Sequence, residues 1–551
     1  MKLMAAAIRA LSASGHAGPV DEVLPPWEPR VPLLCAVFGL LLSCGLAVAL
    51  RPASQSQQDK TREPSVKHTA RLSPVRVWGI TAMNLAYGFG MAAQGLVILP
   101  LEAERLWLEN HSFGLGVLAA LAGVAQLVGP QAGHWSDVYR SGIGRRRPLL
   151  LIATTLTCSM TLGLWYLSEQ KLRTLYLGTW FCQQLAFNVL LSTQAGLVPD
   201  LVPAEQQDFA GGCSASNILV GAVGACVYVM ALSDLDYHVS YGTIACLLAA
   251  CCAVACISGD EESSLDQPSP HHEEGSWFLQ AAQHYTYDFN RYWDFTLLLV
   301  TKTLYCSSVV VEGFLLFYVQ DTFRSLPSDR YENMVSQMAA TAEVAAALAA
   351  VIIMLWLGQQ SSTGTQDPSS DTDASSAGEG SADPRRSKIC ISSGAAWMAL
   401  LWWVPVVFGG LADQQHTSVG PETLVDTWLP PMLFGLGVWG LGQGVYLAGD
   451  QALAYALLPN QAEASRYLGF SSLCACVGSI AGGGICASLL SICGAGAPEG
   501  YAFPGYAAIF IFASALSAAI SVVASFIKMP GGRGKGSSSS GSDGLSPFPE
   551  C

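Results

Sequence analysis

Four charged side chains stand inside long apolar runs, where each costs roughly 2.5–3.5 kcal/mol on insertion scales and so tends to face a cavity or a partner. Lys302 and Glu312 fall in the run 295–319, Glu343 in 333–357 and Asp450 in 430–455. A carboxyl surrounded by apolar groups favours its neutral form, so it can load and release a proton where a solvated one stays charged. Glu312 and Glu343 are candidates for that chemistry. The alternative is a static, hydrogen-bonded carboxyl, and Glu343, within MAATAEVAAALAAV, can equally contact a neighbouring helix. Lys302 and Glu312 are ten residues apart, about 15 Å along a helix, so they cannot pair with each other.

Uncharged polar residues recur at helical spacing. Gln184, Asn188 and Ser192 follow i, i+4, i+8 and share a face; Gln443, Tyr446 and Asp450 do the same at i, i+3, i+7. Asn84, Tyr87 and Gln94 form a third set. Amides and phenols can hydrogen-bond hydroxyls, and aromatic rings can stack on a sugar face; hydrogen bonding between helices is the plainer use. Enzyme-like signals fail. GLGVWG at 435–440 has the spacing of a dinucleotide motif but lies in an apolar run with no preceding strand. His271, His272, Glu273 and Glu274 sit in a polar acidic stretch and read as solvated rather than metal-binding. No cofactor, metal site or enzymatic activity is implied.

The elements that position these residues are membrane spans. The chain has 551 residues, 51 % hydrophobic and 12 % charged, against about a quarter charged in soluble proteins. Repeated apolar runs of about twenty residues place it in the multi-pass membrane class. The formal charge of −14 comes mostly from loops, and the sparse, scattered basic residues exclude nucleic-acid binding. Most of the 17 cysteines, such as Cys246, Cys251, Cys252 and Cys256, lie in apolar runs, where a free thiol acts as a small hydrophobe.

In order, residues 1–30 form an N-terminal tail that faintly resembles a transit sequence. Residues 31–50 are long enough for an extra N-terminal span or a signal anchor, and 51–76 form a basic cytoplasmic linker. An N-terminal half, 77–257, holds runs at about 77–100, 112–132, 149–168, 174–197, 209–231 and 238–257. A central cytoplasmic loop, 258–294, closes on WFLQAAQHYTYDFNRYWDF, which reads as an interfacial amphipathic helix. The C-terminal half, 295–527, has runs at about 295–319, 333–357, 389–411, 430–455, 467–492 and 504–527, with a Ser/Gly/Asp-rich insert at 358–387 and a tail at 528–551 that both read as disordered.

Between the second and third runs lies GHWSDVYRSGIGRRRP, residues 133–148. Arg145, Arg146 and Arg147 beside a span mark a cytoplasmic loop, and an ordinary basic anchor would need nothing more. Gly133 and Gly144 permit close backbone approach or tight turns, and Asp137 can cap a helix or meet an arginine. The loop resembles the signature between the second and third helices of major facilitator superfamily carriers. It is most similar to the longer form found in sucrose–proton symporters and related glycoside-pentoside-hexuronide carriers. Gly133, Ser136, Asp137, Ser141, Gly144, Arg145, Arg146, Arg147 and Pro148 match; Val138 stands where that family has a basic residue, and Arg140, two positions on, can substitute for it.

The resemblance implies an all-α, twelve-helix fold in two six-helix halves with a substrate site between them. An internal repeat agrees: LVPAEQQDFAGG at 201–212 is similar to LLPNQAEASRYLGF at 457–470. With the 133–148 loop inside, twelve Lys and Arg residues from the second span onward fall on the cytoplasmic side and five opposite, which places the C-terminus in the cytoplasm. The seventh and tenth helices of the superfamily both line the central cavity. On that basis Lys302, roughly 10 Å deep, and Asp450, roughly 8 Å deep, can form an ion pair, or each can serve separately. The family pattern sets Asp137 against the helix beginning near Ala464–Tyr467, where with Arg145–Arg147 it biases the rocking of the halves and favours the outward-open state.

The implied function is proton-coupled symport of a sugar or similar small polar solute by alternating access. The protein would sit as a monomer in a plasma or organelle membrane, with the lipid bilayer, the solute and H+ as its partners. A uniporter or exporter of another metabolite, and a non-transporting scaffold or sensor, are the rival readings.

Overall fold

The computed structural model describes residues 71–107, 111–231, 239–261, 263–265, 283–323, 326, 328–358, 384–415, 418, 420–495 and 501–528. The expectations for the tail, the extra span 31–50, most of the basic linker, His271–Glu274, the insert 358–387 (beyond its first residue and its last four) and all but the first residue of the C-terminal tail lie outside those residues.

Among the described residues, twelve helical rods make up the fold. α1 is assembled from Pro74–Ile80, Met83–Ala93, a π turn at Gln94–Ile98 and Leu99–Leu106. α2 runs through His111–Ala125, a 3-10 turn at Gln126–Val128 and Gly129–Val138. α3 is Arg147–Glu169, α4 Arg173–Ala195, α5 Gln207–Ala231 and α6 Val239–Ser258. α7 comprises Trp293–Val309, a 3-10 turn at Val310–Phe314 and Leu315–Thr322. α8 is Ser328–Gly358; α9 is Pro384–Leu401 with Trp403–Gln415; α10 is Pro421–Ala456; α11 is Ala464–Cys493; and α12 is Phe503–Phe526.

The helix starts follow local chemistry. Ser73 caps α1 by accepting from the Arg76 backbone N–H at 3.3 Å, and proline stands in the first turn of α1, α3, α10 and α12, where its missing N–H costs nothing. α10 departs from expectation. The apolar run reads from about 430, yet the helix begins at Pro421 and continues through Pro430 and Pro431. Neighbouring helices in a bundle can satisfy the backbone groups a proline frees. Of the stretch read as an interfacial helix, 277–282 lies outside the described residues; Gln283 is helical and 284–292 form turns and irregular chain.

Ten rods are long and apolar enough to cross a membrane, and α1 and α4 are the two that fall short. α4 does so because its inner face is amide and hydroxyl: Gln183, Gln184, Asn188, Ser192, Thr193 and Gln194 are all buried.

α1–α6 and α7–α12 form the two halves. Close backbone approach binds each together. Gly440 and Gly444 of α10 rest on the carbonyls of Ala342 and Ala346 in α8, small residues four apart letting two rods touch. The halves meet where α5 packs on α8 and α10, and where α2 packs on α11. The repeated segments occupy equivalent places: each forms a 3-10 turn, Ala204–Gln206 or Gln461–Glu463, leading into α5 or α11.

Candidate functional site

The in-span charges of α7 and α10 converge. Lys302 Nζ donates to Asp450 Oδ2 at 2.6 Å, with the two side chains 14 % and 6 % exposed. One turn along α7, Tyr305 stacks on Tyr446, ring centroids 4.4 Å apart and planes 19° from parallel. Gln443 Nε2 donates to Tyr305 Oη at 3.3 Å, and Tyr446 Oη donates to the Thr301 carbonyl at 3.3 Å. The Lys302 ammonium lies 5.9 Å from the Tyr305 ring centre, close enough for a cation–π contribution. Tyr87 reaches this cluster from α1 and is within electrostatic range of Lys302.

Glu312 and Glu343 make a second group. Glu312 lies in the 3-10 turn of α7, an irregularity that often marks a hinge. Its side chain is exposed. The two carboxyls interact electrostatically with each other, and both act on Tyr305. Glu343 Oε2 and Gln443 Oε1 are buried and accept no hydrogen bond from the described residues.

Across the molecule, Gln184 Nε2 donates to Gln183 Oε1 at 2.8 Å and to Gln94 Oε1 at 3.4 Å, while Asn188 Nδ2 donates to the Gln184 carbonyl at 2.8 Å. Gln94 Nε2 and Ser192 Oγ are buried without a partner among the described residues. Asn84 and Tyr87 are half-buried, and the Tyr87 ring sits 5.5 Å from Phe187. Orphaned donors and acceptors on both halves suit a polar ligand, because buried polar atoms are otherwise almost always paired.

The Arg-rich loop closes one face. Asp137, at the end of α2, accepts from the backbone N–H of Ser465 at 3.3 Å and of Arg466 at 2.9 Å. These are free donors of the first turn of α11, so the carboxylate also meets the positive end of that helix. Arg146 is fully buried: its Nη2 lies 2.9 Å from Asp137 Oδ1, its Nε pairs with Asp200, and its Nη1 donates to Ser136 Oγ at 3.1 Å and to Ser465 Oγ. Arg145 Nη2 donates to both Asp200 oxygens, at 2.7 and 2.8 Å, and its Nη1 to the Ala462 carbonyl at 3.2 Å. Arg147 stays within its own half, donating to the Cys256 carbonyl at 2.9 Å.

Arg140 is the residue expected to stand in for the basic one absent at Val138. Its guanidinium donates to the carbonyls of Asp137 and Tyr139, at 2.9 and 3.0 Å, and Arg146 pairs with the carboxylate instead. Glycine is required twice. A Cβ at Gly133 would collide with the backbone of Ser465, and Gly144 adopts φ +112° with the Glu261 side chain filling the space a Cβ would need.

Burial alone would push the Arg146 guanidinium down, but the carboxylates of Asp200 and Asp137 reverse that and hold it charged. Burial pushes Asp200 up, and the pull of Arg146 and then Arg145 outweighs it, leaving the carboxyl below its ordinary 3.8. A depressed folded-state pKa means stability present above the unfolded value and lost as pH falls through the folded one. Asp200→Asn should therefore lower the melting temperature at pH 7, with the gap from the parent closing only below about pH 4. A gap that is constant from pH 7 to 3 would contradict the pairing.

The family model of the Major Facilitator Superfamily matches residues 80–412, from α1 to α9. The chain belongs to that superfamily. No curated protein matches it. Among solved superfamily-like structures, a bacterial homologue of the iron transporter ferroportin, in an outward-facing state, aligns with TM-score 0.56 at 13 % identity, covering 82 % of this chain and 98 % of its own. The human organic anion transporter MFSD10 (TETRAN) gives 0.55 at 14 %, covering 82 % and 98 %. The E. coli fucose:proton symporter FucP gives 0.51 at 12 %, covering 83 % and 98 %. At such identities the likeness concerns the fold, which is that of a multi-pass membrane transporter.

Within this superfamily fold, sequence reasoning missed Tyr305, Asp200 and Glu261. Tyr305 had a signal, since it follows Lys302 by three residues and shares its helix face. Glu261 accepts from the backbone N–H of Arg146 at 3.1 Å and of Arg147 at 3.0 Å; an acidic residue just past an apolar run gave no hint of that.

Proposed function

We propose that the protein is a proton-coupled symporter for a sugar or similar small polar solute, working by alternating access. The observation that supports this reading is the Glu312–Glu343 pair, two carboxyls of α7 and α8 within electrostatic reach of each other and of Tyr305. A carboxyl in an apolar span can alternate between neutral and charged forms as its surroundings change, and Glu312 sits on a turn that can move. The orphaned amides of Gln94 and Gln443 and the Tyr305–Tyr446 pair supply hydrogen bonds and a flat aromatic surface suited to a hydroxylated ring. The sucrose-symporter resemblance of residues 133–148 points the same way, and the basic-residue bias supports a cytoplasmic C-terminus.

The test is proton flux in proteoliposomes against a panel of sugars and polyols. Uptake of the substrate should acidify the interior, and Glu312→Gln or Glu343→Gln should remove that coupling. Solute flux with no pH change would make it a uniporter. No flux of any member of the panel would overturn the sugar assignment.

A further inference from the structure

The stretch entering α7 crosses the seam between the halves on the Arg-rich face. We propose that residues 283–295 form a strap that holds this face shut and must release α2 when the face opens. Its attachment to the C-terminal half is extensive. Arg466 of α11 donates from Nε to the His284 carbonyl at 3.2 Å, from Nη2 to the Gln283 carbonyl at 3.1 Å, and to the Thr286 carbonyl. Tyr287 packs edge-on against Phe470 and Tyr467, at 5.1 and 6.2 Å between ring centres, and against Phe295 of α7 itself at 6.0 Å.

Among the described residues, the attachments to the N-terminal half include two on α2. His284 stacks on His134 with ring centres 3.5 Å apart and planes 20° from parallel. Tyr285 Oη donates to the Leu127 carbonyl at 2.9 Å, within the 3-10 turn of α2, where carbonyls are less well satisfied by the helix. Arg466 joins the two devices. Its backbone N–H holds Asp137, and its side chain holds the strap. Because the strap is continuous with α7, opening leaves the Arg466 and Tyr287 contacts in place. The His134 stack and the Leu127 hydrogen bond are the ones that separate, and their strength adds to the bias toward the closed face independently of what is transported.

Cys213 provides a native reporter. It is a buried free thiol on α5, its Sγ 3.5 Å from Met354 Sδ of α8 across the same seam. The full chain in proteoliposomes is treated with N-ethylmaleimide, and alkylation of the Cys213 peptide is followed by mass spectrometry, with exposed Cys493 at the end of α11 as the labelling control. His284→Ala/Tyr285→Phe should raise the rate at Cys213 by roughly three- to tenfold, the equivalent of one hydrogen bond and a ring contact. Asp137→Asn, which weakens the neighbouring latch, sets the scale. Unchanged or slower labelling of Cys213 in the double variant overturns the strap. Labelling of Cys158 and Cys252, which are buried away from the seam, would report misfolding instead, and Tyr285→Phe alone, the smaller change, then decides by the same rate.

Discussion

Lys302→Met should abolish solute uptake and lower the yield of folded protein, because Asp450 is then left buried and charged without its partner. Removing one member of a buried ion pair costs about 3–5 kcal/mol, a large share of the stability of any protein. The exchange Lys302→Asp with Asp450→Lys should recover folding and part of the uptake, since the 2.6 Å contact can be made in either sense. The measurement is uptake in proteoliposomes alongside a melting curve for each variant. Failure of the exchange to rescue, with every protein at the membrane in equal amount, would mean that the two charges serve separately.

An effect of similar size is expected at the closed face. Arg146→Ala leaves the buried Asp137 carboxylate without a guanidinium and Asp200 with Arg145 alone, again costing about 3–5 kcal/mol. Arg146→Lys should fall between, because an ammonium keeps the charge but lacks the planar fork that meets two carboxylates and two hydroxyls at once. Arg140→Ala makes the contrast: that guanidinium donates only to carbonyls at an exposed helix end and should change stability by less than about 0.5 kcal/mol. Melting temperatures of the three purified variants decide the matter. An Arg146→Ala protein as stable as Arg140→Ala would refute the assignment.

Much of the fold was legible because each rod is an apolar run bounded by charge. Lys302 and Asp450 were legible for the same reason, as charges set at equal depth in two runs that line one cavity. Asp137 was placed against the start of α11 by family pattern. The misses share a cause. Arg140 and Arg146 are chemically alike and stand in one loop, and only the turn at Gly144 decides which guanidinium reaches inward. Asp200 follows α4 by a few residues, and nothing local says that it turns back under α3. The strap was hard to read because the aromatic residues of HYTYDFNRYWDF suit an interface, while their alternation with polar residues has the period of extended chain rather than of a helix, and the carbonyls of His284 and Thr286 accept from Arg466. The start of α10 is not legible because PETLVDTWLPP, residues 421–431, lies before the apolar run and hydropathy alone does not mark it as helix.

The polar inner face of α4 bears on how the protein is made. A segment partitions from the translocation channel into lipid by its own average apolarity, and each buried amide of α4 weighs against that step. α3, apolar and joined to α4 by a turn of three residues around Lys171, can carry it across as the second arm of a hairpin, its amides facing the growing bundle rather than hydrocarbon. The buried amides of α4 thus make its entry into the bilayer dependent on its neighbour, and a lesion in α3 would be felt first as a defect of synthesis.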